Sequence, residues 1–418
     1  MPHIDLIYFN AGGGHRAAAE ALREVMSGEG SPWRVRLLNL FEVLDPQDRF
    51  RRLTGMPPEE LYNRRLARGW TLGMAQELKL LQAAIRLAHP QLVQRLQRYW
   101  QSSAPDLAVS LVPNFNLSLS QGLQAAGTGA PFVTVLTDLA DHPPHFWVER
   151  GAGQHVVCGT ERAMQQARAL GVDERHLHRS SGMILRPAFY RPPTITRADA
   201  RRTLGLDAHT PTGVVLFGGH GSKAMLGIAE QLSDLPLILM CGHNQALAER
   251  LRALPAAAPR VVVGYTQDVA QYLRLGDFFI GKPGPGSLSE ALHCGLPVIV
   301  TRNAWTMPQE RYNTDWVREQ GVGLVLDSFA ALPAAVTELR RQLPWLAERV
   351  RRLDNRALFE IPQILAGILR QRDDAGVHAP AANDAHADFT HLSPHCHAGV
   401  ARSTEHAAHA QGPAGQHA

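Results

Sequence analysis

Cysteine is scarce. The 418 residues hold four, Cys158, Cys241, Cys294 and Cys396, with no C-x-x-C pair. That excludes a disulfide framework in so long a chain, lacks the ligand spacing of a zinc site, and favours a reducing, cytosolic setting. Long apolar runs are missing too: no stretch reaches the roughly 18 uncharged apolar residues of a membrane span, so any membrane contact is expected to be peripheral. The N-terminus, MPHIDLIYFNAGGGH, has no basic leader and no cleavage site, and reads as a first strand. G-x-x-x-x-G-K-[ST] does not occur, and Lys223 and Lys282 lack its flank, which leaves ATP hydrolysis without support. The formal charge is only +4, with a pI near 9.0. So mild a basic balance fits an anionic ligand or surface, and no nucleic-acid partner is expected.

What is present is alternation. Short apolar runs, IDLIYF, WRVRLLNL, DLAVSLV, PFVTVLT and QHVVCG, then TGVVLFGG, LPLILMCG, RVVVGY, DFFIGK and LPVIVT, are separated by helical patterns. Runs buried on both faces belong to parallel sheets, and strand–helix alternation implies right-handed crossovers. The expectation is an α/β chain of two Rossmann-like, doubly wound domains facing a cleft, residues 1–190 and 191–372. A proline- and charge-rich boundary, Arg186 to Leu206, separates them. A last helix, PQILAGILRQ, closes the body near Gln371 and is free to return to the first domain. From residue 373 onward an Ala/His/Gly/Pro composition without periodicity reads as a disordered tail. Asp48 to Trp100 is helical and arginine-rich (Arg49, Arg51, Arg52, Arg64, Arg65, Arg68), with Trp70 and Trp100. Basic charge beside apolar and Trp residues suits an anionic membrane surface. An amphipathic cover for the sheet is the competing reading.

Chemistry concentrates in the loops that follow strands. In DFFIGKPGPGSLSEAL, Gly284, Pro285 and Gly286 form a tight loop before a helix that starts near Ser287. Such a helix start offers free N–H groups and a dipole to phosphate. Glu290, one turn in, can accept hydrogen bonds from a sugar diol. Two further glycine loops in the same half, around Gly219 and Gly242, fall at strand ends, where ligands collect in open α/β sheets. The three loops describe a nucleotide pocket. In the first half, Gly12, Gly14 and Ala17 match G-x-G-x-x-A, yet the second strand ends on Asn39 where a dinucleotide site expects an acid.

GGGHRAAAEAL, GKPGPGSLSEALHCGLPVIV and PQERYN, with TDLADHPPHFW, GMILRPAFY, CGHN and VVVGYTQDVAQYL, resemble the monogalactosyldiacylglycerol synthases. These group with the lipid II-forming glycosyltransferases in the GT-B superfamily, and the likeness runs from about residue 4 to about residue 330. It implies a UDP-sugar held by the second half. Glu290 would meet the ribose, Val263, Gly264 and Tyr265 the uracil, Gly284 to Ser287 the diphosphate, and Gln309 and Glu310 the sugar hydroxyls. His15 would be the catalytic base, with Gly13 and Gly14 facing the acceptor. Imidazole, with an unperturbed pKa near 6.5, suits deprotonation of a hydroxyl at neutral pH.

No D-x-D occurs; Asp138 and Asp141 are three apart in TDLAD and could orient His15 or the acceptor, or cap the backbone. The prolines between His142 and His145 argue against a metal pair and leave acceptor contact. The expected function is an inverting, metal-independent transfer of a hexose from a UDP-sugar to a diacylglycerol-type lipid, without a cofactor. The expected location is cytoplasmic, peripheral on the inner face of the cell membrane. Alternatives are a polyprenyl-linked or lipopolysaccharide acceptor, or a UDP-sugar binding protein without turnover. Departures at His220 and in SLVPNFNLSL leave sugar and lipid open.

Overall fold

The computed structural model describes residues 1–10, 13–28, 30–57, 59–60 and 74–377. Arg64, Arg65, Arg68 and Trp70 of the basic stretch, and the tail from 378, lie outside the described residues. Residues Met1–Gly376 form one compact unit.

Every apolar run quoted above forms a strand, and all the pairings are parallel. The first sheet contains β1 (His3–Tyr8), β2 (Arg34–Asn39), β3 (Leu107–Ser110), β4 (Phe132–Val135), β5 (His155–Cys158) and β6 (Leu177–Arg179), in the order β2-β1-β3-β4-β5-β6. The second contains β7 (Gly213–Leu216), β8 (Leu237–Met240), β9 (Arg260–Val263), β10 (Phe278–Gly281), β11 (Val298–Thr301) and β12 (Gly323–Leu326), in the order β12-β11-β10-β7-β8-β9. Strands β3, β4, β7, β8 and β10 are buried along their whole length, as a sheet covered on both faces requires. Two strands lie outside those runs: β6, LHR, has three residues, and β12, GLVL, is only half-buried, each at the edge of its sheet.

The strand orders set where a ligand crevice can form. In each sheet the chain winds outward one way and then the other, leaving a crevice at the reversal. In the first sheet the reversal lies between β1 and β3; in the second it lies between β7 and β10. The segments that follow these four strands hold His15, Leu111, Gly218 and Lys282.

The closing helix runs past Gln371, from Ala357 to Val377. Its apolar face, Leu358, Ile361, Leu365, Ile368 and Leu369, packs with Ile4, Leu6, Leu107 and Val109 of the first sheet. The helical stretch after β2 departs from expectation in one respect. Trp100 is fully buried, with Leu96, among Phe9, Leu38 and Phe115, so it cannot be an interfacial anchor.

Candidate active site

His15 lies in the first turn of the helix Gly14–Met26. Gly13 before it has φ +78°, a left-handed conformation that a side chain would strain, and a Cβ on Gly13 or Gly14 would meet nothing within 4 Å. The His15 ring turns inward across the sheet reversal, where its Nδ1 lies 2.8 Å from the carbonyl oxygen of Leu111 at the end of β3. A carbonyl only accepts, so Nδ1 carries the proton and Nε2 presents a lone pair. Thr137 Oγ1 lies 3.2 Å from the same Nδ1. Burial pushes the His15 pKa down to about 4, against a smaller upward pull from the Leu111 carbonyl. The residue is half-buried, and the ring is neutral at pH 7, the form a general base needs.

Of the readings open to the two aspartates of TDLAD, Asp141 takes the capping one and neither carboxylate bonds the His15 ring directly. Asp141 caps the following loop, accepting from the backbone N–H of Trp147 at 2.6 Å and of His145 at 3.1 Å. Asp138 accepts from Trp147 Nε1 at 2.9 Å. The Trp147 ring is fully buried and leans on the His15 ring with centroids 5.9 Å apart. The imidazole is therefore oriented by Leu111 and Thr137 and walled by Trp147, with Asp138 reaching it only through that indole. Nothing in the sequence marks Trp147 for this task, because the contact is tertiary. His142 is half-buried; its pKa is lowered by burial and then by Arg311, Arg302 and Arg162. Arg302 and Arg311 follow β11, so His142 faces the second sheet's loops.

In the second half, Gly284 caps the helix Pro285–His293. Pro285 has no N–H, so the free donors of this helix start are Gly286 and Ser287. Gly286 is exposed, with nothing within 4 Å of where a Cβ would stand. The loop is held from below by Asn313, which is fully buried and donates to the Pro283 carbonyl at 2.7 Å. Glu310 is buried at 4% exposure and pairs with Lys282, Nζ to Oε1 2.8 Å. Gln309 sits beside it, half-buried.

Glu290 is met by a residue that the sequence motifs did not single out. Arg186, from the chain crossing between the two sheets, places Nη2 3.6 Å from Glu290 Oε1 and donates from Nη1 to the Gln267 carbonyl. Burial raises the Glu290 pKa to about 7, with Arg186 pulling it back. Val263 is buried at the end of β9, while Tyr265 is exposed and stacks on His243 with centroids 4.0 Å apart and planes 20° apart.

Gly219 and Gly242 have a packing reason as well as a place in the pocket. Gly242 has φ +57°, and a Cβ there would stand 2.1 Å from the Gly219 carbonyl oxygen. The two glycine loops touch backbone to backbone, with His243 N–H donating to that same oxygen at 2.8 Å. Gly242→Ala is expected to cost about 2–4 kcal/mol, from the left-handed backbone and the overlap combined. Chemical denaturation measures it, and a loss below about 1 kcal/mol would show that the loops can part freely.

Asp138 senses charges from the other sheet's loops. Burial raises its pKa to about 7, and the further contributions include Glu310, which raises it, and Lys282, which lowers it. An acid beside the His15 wall thus feels the charges at the reversal of the second sheet. Among the described residues, no group of three or more His, Cys, Asp or Glu is placed to hold a metal ion.

No family model matches the chain. It is 26% identical over 349 residues to monogalactosyldiacylglycerol synthase 3, chloroplastic, of Arabidopsis thaliana, covering 76% of this chain and 70% of that one. To monogalactosyldiacylglycerol synthase 1, chloroplastic, of the same plant it is 25% identical over 400 residues, covering 88% and 71%. The chain is a homologue of the monogalactosyldiacylglycerol synthases. Among solved structures, the calicheamicin glycosyltransferase CalG4 aligns over 90% of this chain and 99% of its own, with a TM-score of 0.56 and 15% identity. MurG of Acinetobacter baumannii aligns over 89% and 100%, with a TM-score of 0.54 and 14% identity. A UDP-N-acetylglucosamine 2-epimerase from Listeria monocytogenes gives 0.55 at 13% identity, over 89% and 97%. These likenesses establish the GT-B fold, which serves more than one chemistry.

Proposed function

We propose that this protein transfers a hexose from a UDP-sugar to the hydroxyl of a membrane lipid of the diacylglycerol type, with inversion and without a metal. The observation that supports this reading is a pair of strand-end sites, one at the reversal of each sheet. A neutral imidazole with its Nε2 lone pair free stands at one, and a glycine loop and helix start with Lys282, Glu310 and Glu290 at the other. The synthase homology selects transfer to a lipid from the chemistries open to the fold.

The acceptor oxygen bonds to the anomeric carbon from the face opposite the leaving group, and its proton passes to His15 Nε2. The bond from that carbon to the β-phosphate oxygen breaks, and its electron pair stays with UDP. The Gly286 and Ser287 N–H groups stabilise the charge gained there. Glu290 meets the ribose once Arg186 yields, Tyr265 lies near the base, and Gln309 and Glu310 address the sugar. Gly13, Gly14, His142 and His145 lie on the acceptor side.

The lipid must be reached from the membrane surface. Among the described residues, no helix is long and apolar enough to cross a membrane. The helix Arg49–Thr54 combines Arg49, Arg51 and Arg52 with Leu53, 88% exposed, and Leu80 and Leu87 are exposed on the helix Met74–Ser103. Basic and apolar groups exposed on these two helices suit an anionic bilayer, and the cytoplasmic face of the cell membrane is the proposed location. Vesicles with about 30% anionic lipid should retain the protein at low salt and release it as the salt rises, because surface attraction is screened. Retention on neutral vesicles alone would remove the electrostatic part.

The deciding experiment is a donor-by-acceptor screen on lipid vesicles. UDP-galactose, UDP-glucose and UDP-N-acetylglucosamine are offered with diacylglycerol, with and without a chelator. Glycolipid formed in the chelator sustains the proposal. UDP-sugar binding without product on any acceptor leaves a binding protein. Product only with added divalent metal overturns the metal-free reading.

A further inference from the structure

We infer that Lys282 is the cation that receives the diphosphate of the donor, held in readiness by Glu310. The inference rests on the reading of this site as a UDP-sugar site. Lys282 directly follows β10, at the reversal of the second sheet. Its side chain passes beneath both glycine loops that frame the crevice. A Cβ on Gly284 would stand 3.2 Å from Lys282 Cε, and one on Gly218 would stand 4.0 Å from the same atom. The absence of side chains at these two positions leaves a slot for the ammonium. Lys79, Lys223 and Lys282 are the only lysines in a chain that otherwise draws its cations from arginine. A compact point charge with three donors suits a slot between two backbone turns better than a planar guanidinium does.

The partner supports the assignment. Glu310 is almost fully buried, whereas the Lys282 side chain remains 37% exposed. The anion is the fixed member of the pair, and the lysine is the member that reaches solvent. A UDP-sugar whose phosphates sit on Gly284–Ser287 would bring phosphate oxygens to that lysine. Glu310 would then stand between the ammonium and the sugar hydroxyls. The pair thereby couples sugar recognition to neutralisation of the leaving group: as the bond to the β-phosphate oxygen breaks, the added charge forms beside a cation already in place. A site without a D-x-D carboxylate pair needs such a charge from its own chain.

The test is calorimetric titration of the full-length protein with UDP, and separately with uridine, which shares the base and ribose and lacks the phosphates. Lys282→Met is expected to weaken UDP about 10–100-fold, the range of a charged hydrogen bond lost from a phosphate, and to leave uridine unchanged. Glu310→Gln releases the ammonium from its partner, so UDP should bind at least as tightly as to the unmodified protein while transfer falls. Equal losses for UDP and uridine in Lys282→Met would make Lys282 a structural residue and overturn the inference. So would unchanged UDP affinity in that variant. Failure of the unmodified protein to bind UDP would remove the site reading itself, whereas UDP binding without lipid transfer would leave the Lys282 assignment standing.

Discussion

His15→Ala is expected to lower the turnover of hexose transfer by about 10²–10⁴-fold, the usual contribution of a positioned general base. The loss should appear in kcat, with UDP affinity within about twofold of the unmodified protein, because the imidazole touches no part of the donor site. The ring is fixed by the Leu111 carbonyl at 2.8 Å, which commits the proton to Nδ1. His15→Gln can place a donor toward that carbonyl but cannot accept a proton, so it should be as inactive as the alanine variant. Turnover retained in either variant would end the role assigned to the ring. A parallel loss of UDP affinity would instead mean that the helix Gly14–Met26 had shifted.

The second large effect is on stability and depends on pH. Asp138 is buried, and its pKa is raised to about 7, above the usual carboxylate range. The folded protein therefore holds a proton that the unfolded chain has already released between about pH 4 and pH 7. For this group stability declines as pH rises through that window, and above it the folded state carries a buried carboxylate. Asp138→Asn keeps an oxygen to accept from Trp147 Nε1 and never ionises. It should be more stable than the parent at pH 8 by about 2–4 kcal/mol, with little difference near pH 4. His15 acts in the opposite sense. Its folded pKa of about 4 lies below the unfolded value, so its contribution is lost as pH falls from about 6.5 toward 4. Comparing the variant with its parent at each pH cancels that term. A stabilisation independent of pH, or a destabilisation at pH 8, would show that Asp138 is not held as the neutral acid.

Much of this was legible before the fold was known, for a physical reason. Parallel strands covered on both faces must be continuously apolar, so β3, β4, β7, β8 and β10 announce themselves. The edge strands β6 and β12 have less to bury and do not. The glycine loops are legible because they are local: a positive φ at Gly13 or Gly242, and a helix start at Pro285, are properties of a few consecutive residues. What was not legible depends on pairings between distant segments. The Leu111 carbonyl that fixes His15, the Trp147 ring that walls it, and the Arg186 guanidinium that meets Glu290 come from 96, 132 and 104 residues away, and no spacing rule reaches so far. Trp100 shows the converse error. Its neighbours in sequence are basic, yet its surroundings in space are Leu96, Leu38 and Phe115.

The return of the helix Ala357–Val377 to the first sheet has a practical corollary. Leu358, Ile361, Leu365, Ile368 and Leu369 complete the wall behind β1 and β3. A clone stopped near residue 190 would leave that wall bare and aggregate, and one stopped at residue 356 would do the same with every donor-side group still present. Dissecting this enzyme into halves therefore calls for a circular rearrangement in which the final helix is spliced onto the first half, rather than for a simple truncation.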